Sequence, residues 1–577
     1  MFGRFFSRIV KPRLFPAPVK TVEGTKWGYI DEKGKVVLKP AYANANGFQQ
    51  NGLAIVSKRE GTGIINQTGK FVVKPSYATI LPFTEGRAIA MLNEGGSVVI
   101  NEKGKVLTEK KYDYISPYQG GRAVYQETKN DTTRYGYLDL NGRVAIPARY
   151  LNVYDFNTGK GLVQVREDQY ALLDSTGSQL QTFPYQQMNG LSEGLLSFKK
   201  TYQDKAGYVD ETGKVIIPPQ FGMALPFQGG RAVVNQSTDY QNEFGLIDKT
   251  GKYIISPKHN DMNILGGNRV SVGKALNPEE PFVGSMYALA NAETGKLLSE
   301  FVYSEIGNYQ GEYSSVTKGL QTFFVDKNGR QVKSLPIVDG IGTLTIEGQL
   351  VKAFVDQRLS YYDKTGKLVW SQNTEIPLTK TVSVMEEKYR PNKDYLVYYP
   401  QLQGMENKQA EKKVNEYLSV QSQVVPIPPN QQLDYNFTGD FDIQFFNKNL
   451  VILELSAYNY PFGAAHGMPT QMMVPIDIKS GQIYQLKDLF KKDSDYVKVL
   501  SEIVGKQIAE NPEDYFPDAY KGIQPDQPFY VSSDSLFLYF TPYEIAPYAA
   551  GFPTFEIPFK EINSIIDKKG AFWRSFH

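Results

Sequence analysis

A short phrase returns ten times in the first two thirds of the chain: apolar residues, then Asp or Asn, two variable residues and Gly. Its clearest copies are Trp27-Gly28-Tyr29-Ile30-Asp31-Glu32-Lys33-Gly34, Gly136-Tyr137-Leu138-Asp139-Leu140-Asn141-Gly142, Gly207-Tyr208-Val209-Asp210-Glu211-Thr212-Gly213 and Gly245-Leu246-Ile247-Asp248-Lys249-Thr250-Gly251. The marker residues are Asp31, Asn66, Asn101, Asp139, Asp174, Asp210, Asp248, Asn291, Asp326 and Asp363, set 35 to 43 residues apart. A period in that range means that each unit completes its core against its neighbours. Arrays of this kind usually bind or space other molecules.

The phrase is turn chemistry. Asp at the first turn position accepts backbone hydrogen bonds, and Gly tolerates the left-handed conformation that closes a type I turn with a bulge. The turn residues Asp31, Gly34, Asp139, Gly142, Asp210, Gly213, Asp248 and Gly251 are therefore expected to be structural. Short strands flank each tip, such as Gly63-Ile64-Ile65 and Lys70-Phe71-Val72-Val73. Pro40, Pro75, Pro147, Pro218 and Pro257 are expected to end the second strand, because proline donates nothing to a ladder. A second phrase, Phe83-Thr84-Glu85-Gly86-Arg87-Ala88 or Phe227-Gln228-Gly229-Gly230-Arg231-Ala232, enters a third strand. Each unit is thus about three short strands, too small to be stable alone. A calcium loop would need several oxygen ligands from one segment; most of these turns carry one or two acidic residues, so no metal site is expected.

The unit resembles the bacterial WG (KWG) β-repeat family, whose signature Trp27-Gly28-Tyr29-Ile30-Asp31 with Gly34-Lys35 matches. The resemblance covers roughly residues 22–370 and implies an all-β tandem array without a reaction. Ten units exceed the four to eight blades typical of a propeller, so an open or superhelical array is expected over a closed ring. The fold class is mostly β: a tandem three-stranded β-repeat array, superhelical or propeller-like, followed by an α+β domain.

Lys plus Arg number 63 against 61 Asp plus Glu, leaving no strong positive excess to displace counterions from nucleic acid. No cysteine is present, which removes disulfides, thiolate nucleophiles and cysteine-held metals. The three histidines, His259, His466 and His577, form no zinc-ligand spacing. No nucleophile elbow or phosphate loop appears. Neither catalytic residues nor cofactors are expected. No stretch approaches the roughly 18–20 apolar residues that span a bilayer, and the start lacks the apolar core of a signal peptide. Residues 1–21 form a basic aromatic tail. Phe2, Phe5, Phe6 and Ile9 at helical spacing leave membrane contact as one option for it and a disordered tail as another.

The repeat stops at a linker over 371–380, and 381–577 mixes strands with helices. Ala410, Val414, Tyr417 and Leu418 mark one helical face, and Tyr496, Val499, Leu500, Ile503, Val504 and Ile508 mark another. Tyr399-Pro400-Gln401-Leu402-Gln403-Gly404, Gly463-Ala464-Ala465-His466-Gly467, Leu486-Lys487-Asp488-Leu489-Phe490 and Thr541-Pro542-Tyr543-Glu544-Ile545-Ala546-Pro547-Tyr548 resemble the extracytoplasmic module shared by the anti-sigma factor RsiV and the peptidoglycan deacetylase PdaC. The resemblance implies a Gram-positive envelope setting, an extracytoplasmic or surface location, and a recognition role with a wall glycan or a lysozyme-like protein as partner. In PdaC the module accompanies a separate catalytic domain, so no activity carries over.

His466, Tyr543, Glu544 and Tyr548 are the candidate partner-binding residues, since Gly, Pro and aromatics make preorganised contact loops. The bland alternative has His466 bonded to backbone, both tyrosines packed on the sheet and Glu544 bonded within a turn. Arg87, Arg122 and Arg231 either line one face of the array or are solvated. The expected function is non-enzymatic envelope-associated binding or sensing. A wall-active carbohydrate enzyme using paired carboxylates and an intracellular repeat scaffold are the alternatives.

Overall fold

The computed structural model describes residues 14–238, 241–429 and 431–577. The two options for Phe2, Phe5, Phe6 and Ile9, an interfacial helix or a disordered tail, concern residues outside them. The chain divides into two compact units, one running to Ala17 and from Trp27 to Ser371, the other formed by Pro18–Lys26 and Gln372–His577.

In the first unit the marker side chains build nearly identical turns. At nine of the ten, Oδ1 of the Asp or Asn accepts the N–H groups two and four residues on. At Asp210 the donors are Thr212 at 2.9 Å and Lys214 at 3.0 Å. The exception is Asn291, whose turn is one residue longer and whose Oδ1 bonds Glu293 and Thr294. One oxygen of each aspartate is thus committed to its own backbone.

Each marker belongs to its own antiparallel sheet. Among the described residues, seven of these ten sheets have four strands and three have three. The extra strand is a two-residue stub in most of them, such as Asn44–Ala45 and Met223–Ala224. The prolines do not end the outer strand as expected. Val36–Tyr42 runs through Pro40, and Val215–Phe221 runs through Pro218. Proline is accommodated because the outer strand bulges there: Trp27 faces Tyr42 while Tyr29 faces Leu38, and an edge bulge needs no ladder donor. The bulge presses on Gly28, where a Cβ would lie 2.5 Å from the Leu38 carbonyl oxygen and 2.8 Å from the Pro40 nitrogen. The glycine of the Trp-Gly phrase is therefore a close-approach glycine.

Successive sheets bury a hydrophobic cluster at every junction, for example Tyr208, Ile217 and Phe221 against Ala224, Phe227 and Val234. The same kind of cluster joins the last sheet to the first: Leu350, Leu359 and Tyr361 pack on Phe15, Ala17 and Ile30. The array is a closed ten-unit ring, correcting the expectation of an open one. Tyr29, Tyr137 and Tyr208, each two residues before its marker, donate from the buried hydroxyl to a carbonyl of the following unit, at Asn46, Tyr154 and Leu225. Tyr361 makes that bond to Pro16 at 2.9 Å across 345 residues of sequence. Burial pushes all four phenols above their ordinary value of 10.0, so they remain protonated donors. Ring closure uses the same kind of hydrophobic junction as the other neighbour pairs, with the tyrosine bond of the three named above, and without exchange of a strand.

The second unit opens on a six-stranded sheet ordered as in the sequence, from Glu375–Pro377 through Ser383–Asn392, Tyr395–Gln403, Tyr435–Asn447 and Leu450–Pro461 to Met468–Asp477. Helix α1, Lys408–Gln421, supplies the crossover for the parallel pairing of Tyr395–Gln403 with Tyr435–Asn447. Asn407 caps it by accepting from Gln409 and Ala410, and Val414 and Leu418 join the core formed by Phe441, Ile443 and Leu453. Helix α2, Tyr496–Glu510, packs Leu500 and Val504 into a second core with the strands Ser535–Tyr539 and Thr554–Pro558.

Two boundaries differ from expectation. Glu375–Pro377, placed in a 371–380 linker, is an edge strand because Ile376 buries its side chain between two exposed neighbours. Residues 15–21, placed in a tail, are the strand Phe15–Thr21. Lys20 is buried in the second unit, with Nζ 2.9 Å from Glu386, 3.3 Å from Asp440 and 3.1 Å from the Phe441 carbonyl. Asn373 clamps its backbone, accepting from Lys20 N–H at 2.8 Å and donating to Lys20 C=O at 3.0 Å.

Candidate functional site

Two loops of the second unit carry the candidate residues. His466 lies between the strands Leu450–Pro461 and Met468–Asp477, and Tyr543, Glu544 and Tyr548 follow Ser535–Tyr539. Folding brings three of the four together across about eighty residues of sequence. Tyr543 Oη is 3.2 Å from His466 Nε2, and His466 Nδ1 is 3.0 Å from the Gly467 carbonyl. One tautomer satisfies both contacts: Nδ1–H donates to the carbonyl, and Nε2 accepts from the phenol. Tyr548 donates to the same carbonyl at 3.0 Å, and its ring centroid is 4.2 Å from that of His466.

Gly467 is fixed from its other side. Its N–H donates to Tyr458 Oη at 2.8 Å, and a Cβ would lie 2.6 Å from that ring. Tyr458 therefore completes the cluster. Sequence reasoning passed over it because it sits in a regular strand.

Tyr543 has φ +69 and is 47% exposed. A bulky residue in the left-handed region is strained, and here burial does not repay the strain. Glu544 is exposed as well and folds back on its own loop: its Oε2 accepts from both the N–H and the hydroxyl of Thr541 at 2.9 Å. That bond closes the turn which holds Tyr543 in place.

The arginines form neither a lined face nor a solvated row. Arg87 donates to Leu140 C=O, Arg122 to Ser175 C=O and Arg231 to Ala292 C=O, each a turn carbonyl of the next unit. They are ties between units. In the ring, a cavity of about 690 Å³ is lined by Ile255, Lys258, His259, Lys274 and Phe301. Burial, then the charge of Lys258, holds the His259 imidazole below its ordinary 6.5. Among the described residues no group of three or more His, Asp or Glu is placed to hold a metal ion, and no helix is long and apolar enough to cross a membrane.

The fold and this loop cluster define a tandem-repeat β-ring joined in one chain to an α+β domain. Residues 27–60, 63–95, 99–130, 135–170 and 207–237 match the family described as WG containing repeat. Residues 487–560, which hold Tyr543, Glu544 and Tyr548, match a family described as a protein of unknown function, DUF3298. The chain is 27% identical over 209 residues to the anti-sigma-V factor RsiV of Bacillus subtilis, covering 32% of this chain and 69% of that protein. It is 26% identical over 164 residues to the peptidoglycan-N-acetylmuramic acid deacetylase PdaC of the same organism, covering 26% of this chain and 34% of that protein. The chain thus spans about a third of PdaC. A crystal structure of a DUF3298 family member from Bacteroides fragilis is 15% identical, covers 32% of this chain and 92% of that one, and has a TM-score of 0.26.

Proposed function

We propose that the chain is a non-enzymatic binding or sensing protein of the cell envelope, with the His466, Tyr543 and Tyr548 loops as its recognition surface and a wall glycan or lysozyme-like protein as ligand. The observation that carries this reading is Tyr543, a strained aromatic left in solvent beside two further rings. Rigid aromatics give contact area at low entropic cost. The similarity to RsiV and to a peptidoglycan deacetylase supports a wall setting. Glu544 serves the surface by closing the turn beneath Tyr543.

The test is calorimetric titration of the full chain with lysozyme and with purified muropeptides, with melting followed in parallel. Tyr543→Ala is expected to weaken binding roughly thirtyfold, the effect of losing an anchor of about 2 kcal/mol, at unchanged melting temperature. Tyr543→Gly should bind as weakly yet melt no lower, because glycine accepts positive φ without strain. Loss of stability alone reassigns Tyr543 to structure, and a wild type that binds neither probe removes both ligand classes. Fractionation of the native host separates this reading from an intracellular scaffold.

A further inference from the structure

In nine of the ten sheets of the ring, among the described residues, a leading strand stands ahead of the rest. Met223–Ala224, which follows Val215–Phe221 after one residue, is such a strand. The first sheet starts on Phe15–Thr21 without one. The strand that comes after the last outer strand, Leu368–Ser371, is Glu375–Pro377, and it pairs with Ser383–Asn392 instead.

An interior junction shows what the leading strand fills. Between the sixth and seventh sheets, Gln187, Lys199 and Ala206 share a cavity of about 180 Å³ with Met223 and Ala224. At the seam the equivalent positions are Thr343, Phe354 and Leu359. Thr343 pairs with Phe354 as Gln187 pairs with Lys199, and Leu359 and Ala206 each stand four residues before their markers, Asp363 and Asp210. With no leading strand in the way, the seam cavity is about 530 Å³ and reaches Pro16 and Trp27 of the first sheet and Asn44 and Asn46 beyond it.

The open edge is a poor template for a peptide strand, because Pro16 and Pro18 supply no N–H. The side chains suit a small molecule. Phe354 is 50% exposed and Trp27 is half-buried, and the negative face of an aromatic ring receives the polarised C–H face of a sugar. Asn44, Asn46 and Thr343 are exposed beside them. The Asn44 Oδ1 accepts from the Ala45 N–H, which leaves its amide N–H groups for a ligand. Amides and hydroxyls both donate and accept, so the set matches adjacent sugar hydroxyls. Lys352, opposite Thr345, has its own carboxylate in Glu347 at 3.7 Å, and the cavity gains no net charge. The volume falls within the range of ligand sites, about 300–1,000 Å³.

We infer that the seam cavity binds a neutral sugar of one or two rings, packed on Trp27 and Phe354 and hydrogen-bonded by Asn44 and Asn46. The site lies wholly in the ring and does not rest on the loop surface of the second unit.

The experiment titrates the full chain with glucose, N-acetylglucosamine and cellobiose, and with glucuronate as an anionic comparator, by saturation-transfer NMR with thermal shift in parallel. At least one neutral sugar is expected to bind and raise the melting temperature, with glucuronate no tighter. Phe354→Ala and Asn46→Ala should each weaken that sugar about tenfold, the effect of one lost ring contact or hydrogen bond. Their unliganded melting temperatures should hold, since both side chains are exposed. Asn46→Ala carries the test alone should Phe354→Ala fail to fold. Tyr543→Ala should leave sugar binding intact, which separates this site from the loop surface. Failure of the wild type to bind any of the neutral sugars, wild-type affinity in both ring variants, tighter binding of glucuronate, or loss of sugar binding in Tyr543→Ala overturns the inference.

Discussion

Gly213 sits at φ +87 in its turn, so Gly213→Val forces a β-branched side chain into a region that resists it. A loss of about 1–3 kcal/mol is expected in denaturant unfolding. Asp210 is constrained by hydrogen bonding instead. Its bond to the Thr212 hydroxyl, opposed by slight desolvation and helped by the Lys214 and Thr212 N–H groups, holds the carboxyl below its ordinary 3.8. Thr176 and Thr365 lead the same effect at Asp174 and Asp363. A carboxyl lowered in the folded state stabilises that state above the unfolded value and loses the contribution as pH falls through the folded one. The ring should therefore lose stability below about pH 3.8. Asp210→Asn keeps the acceptor without the titration. It should be mild at neutral pH and should shrink the acid loss, read from melting temperature against pH. A calcium-dependent rise in melting temperature that Asp210→Asn abolished would restore a metal role to the turn.

Among the elements, the segment Pro18–Lys26 belongs to the second unit although the rest of that unit begins only at Gln372. Its Lys20 side chain is 4% exposed, as is that of its partner Glu386. Lys20→Met withdraws the buried cation that Glu386 and Asp440 share, and breaking a buried pair by removing one partner typically costs about 3–5 kcal/mol. Lys20→Met should therefore destabilise the second unit by that order, measured by denaturant unfolding. For the same reason 381–577 expressed alone should melt less cooperatively than a version that also carries residues 18–26 and 372–380. Equal melts for the two would show that Lys20 and the edge strand Glu375–Pro377 are dispensable. Nothing near Lys20 in the sequence announces a partner; Glu386 and Asp440 lie hundreds of residues away.

For the whole ring, closure is the property that substitutions can measure. Tyr208→Phe removes an interior junction bond, and Tyr361→Phe removes the closing one. Both should cost about 1–3 kcal/mol, because each leaves a carbonyl partner short of its donor. An array that opens in solution would feel the first and ignore the second. Comparison of the two urea midpoints therefore tests closure directly.

Local chemistry was legible from the sequence because it involves residues within a few positions of one another. The Asp210-to-Gly213 turn, the strands on either side of it, the ten-fold period and the change to an α+β pattern past Ser371 all follow from turn geometry and side-chain periodicity. The Trp-Gly glycine and the outer-strand prolines were visible as residues, but their meaning lay in the bulge where Gly28 meets Pro40. Arg87, Arg122 and Arg231 stood out by spacing, yet the carbonyls they bind belong to other units. Closure was misjudged because it depends on the small rotation at each junction summed over ten of them, which packing sets and unit count does not. The meeting of His466 with Tyr543 and the cavity between Trp27 and Phe354 likewise arise from loop approach and strand pairing. The sequence by itself determined what each unit and turn would be; the tertiary structure alone decided which distant residues would meet, because long-range contacts are fixed by register and packing rather than by neighbouring residues in the chain.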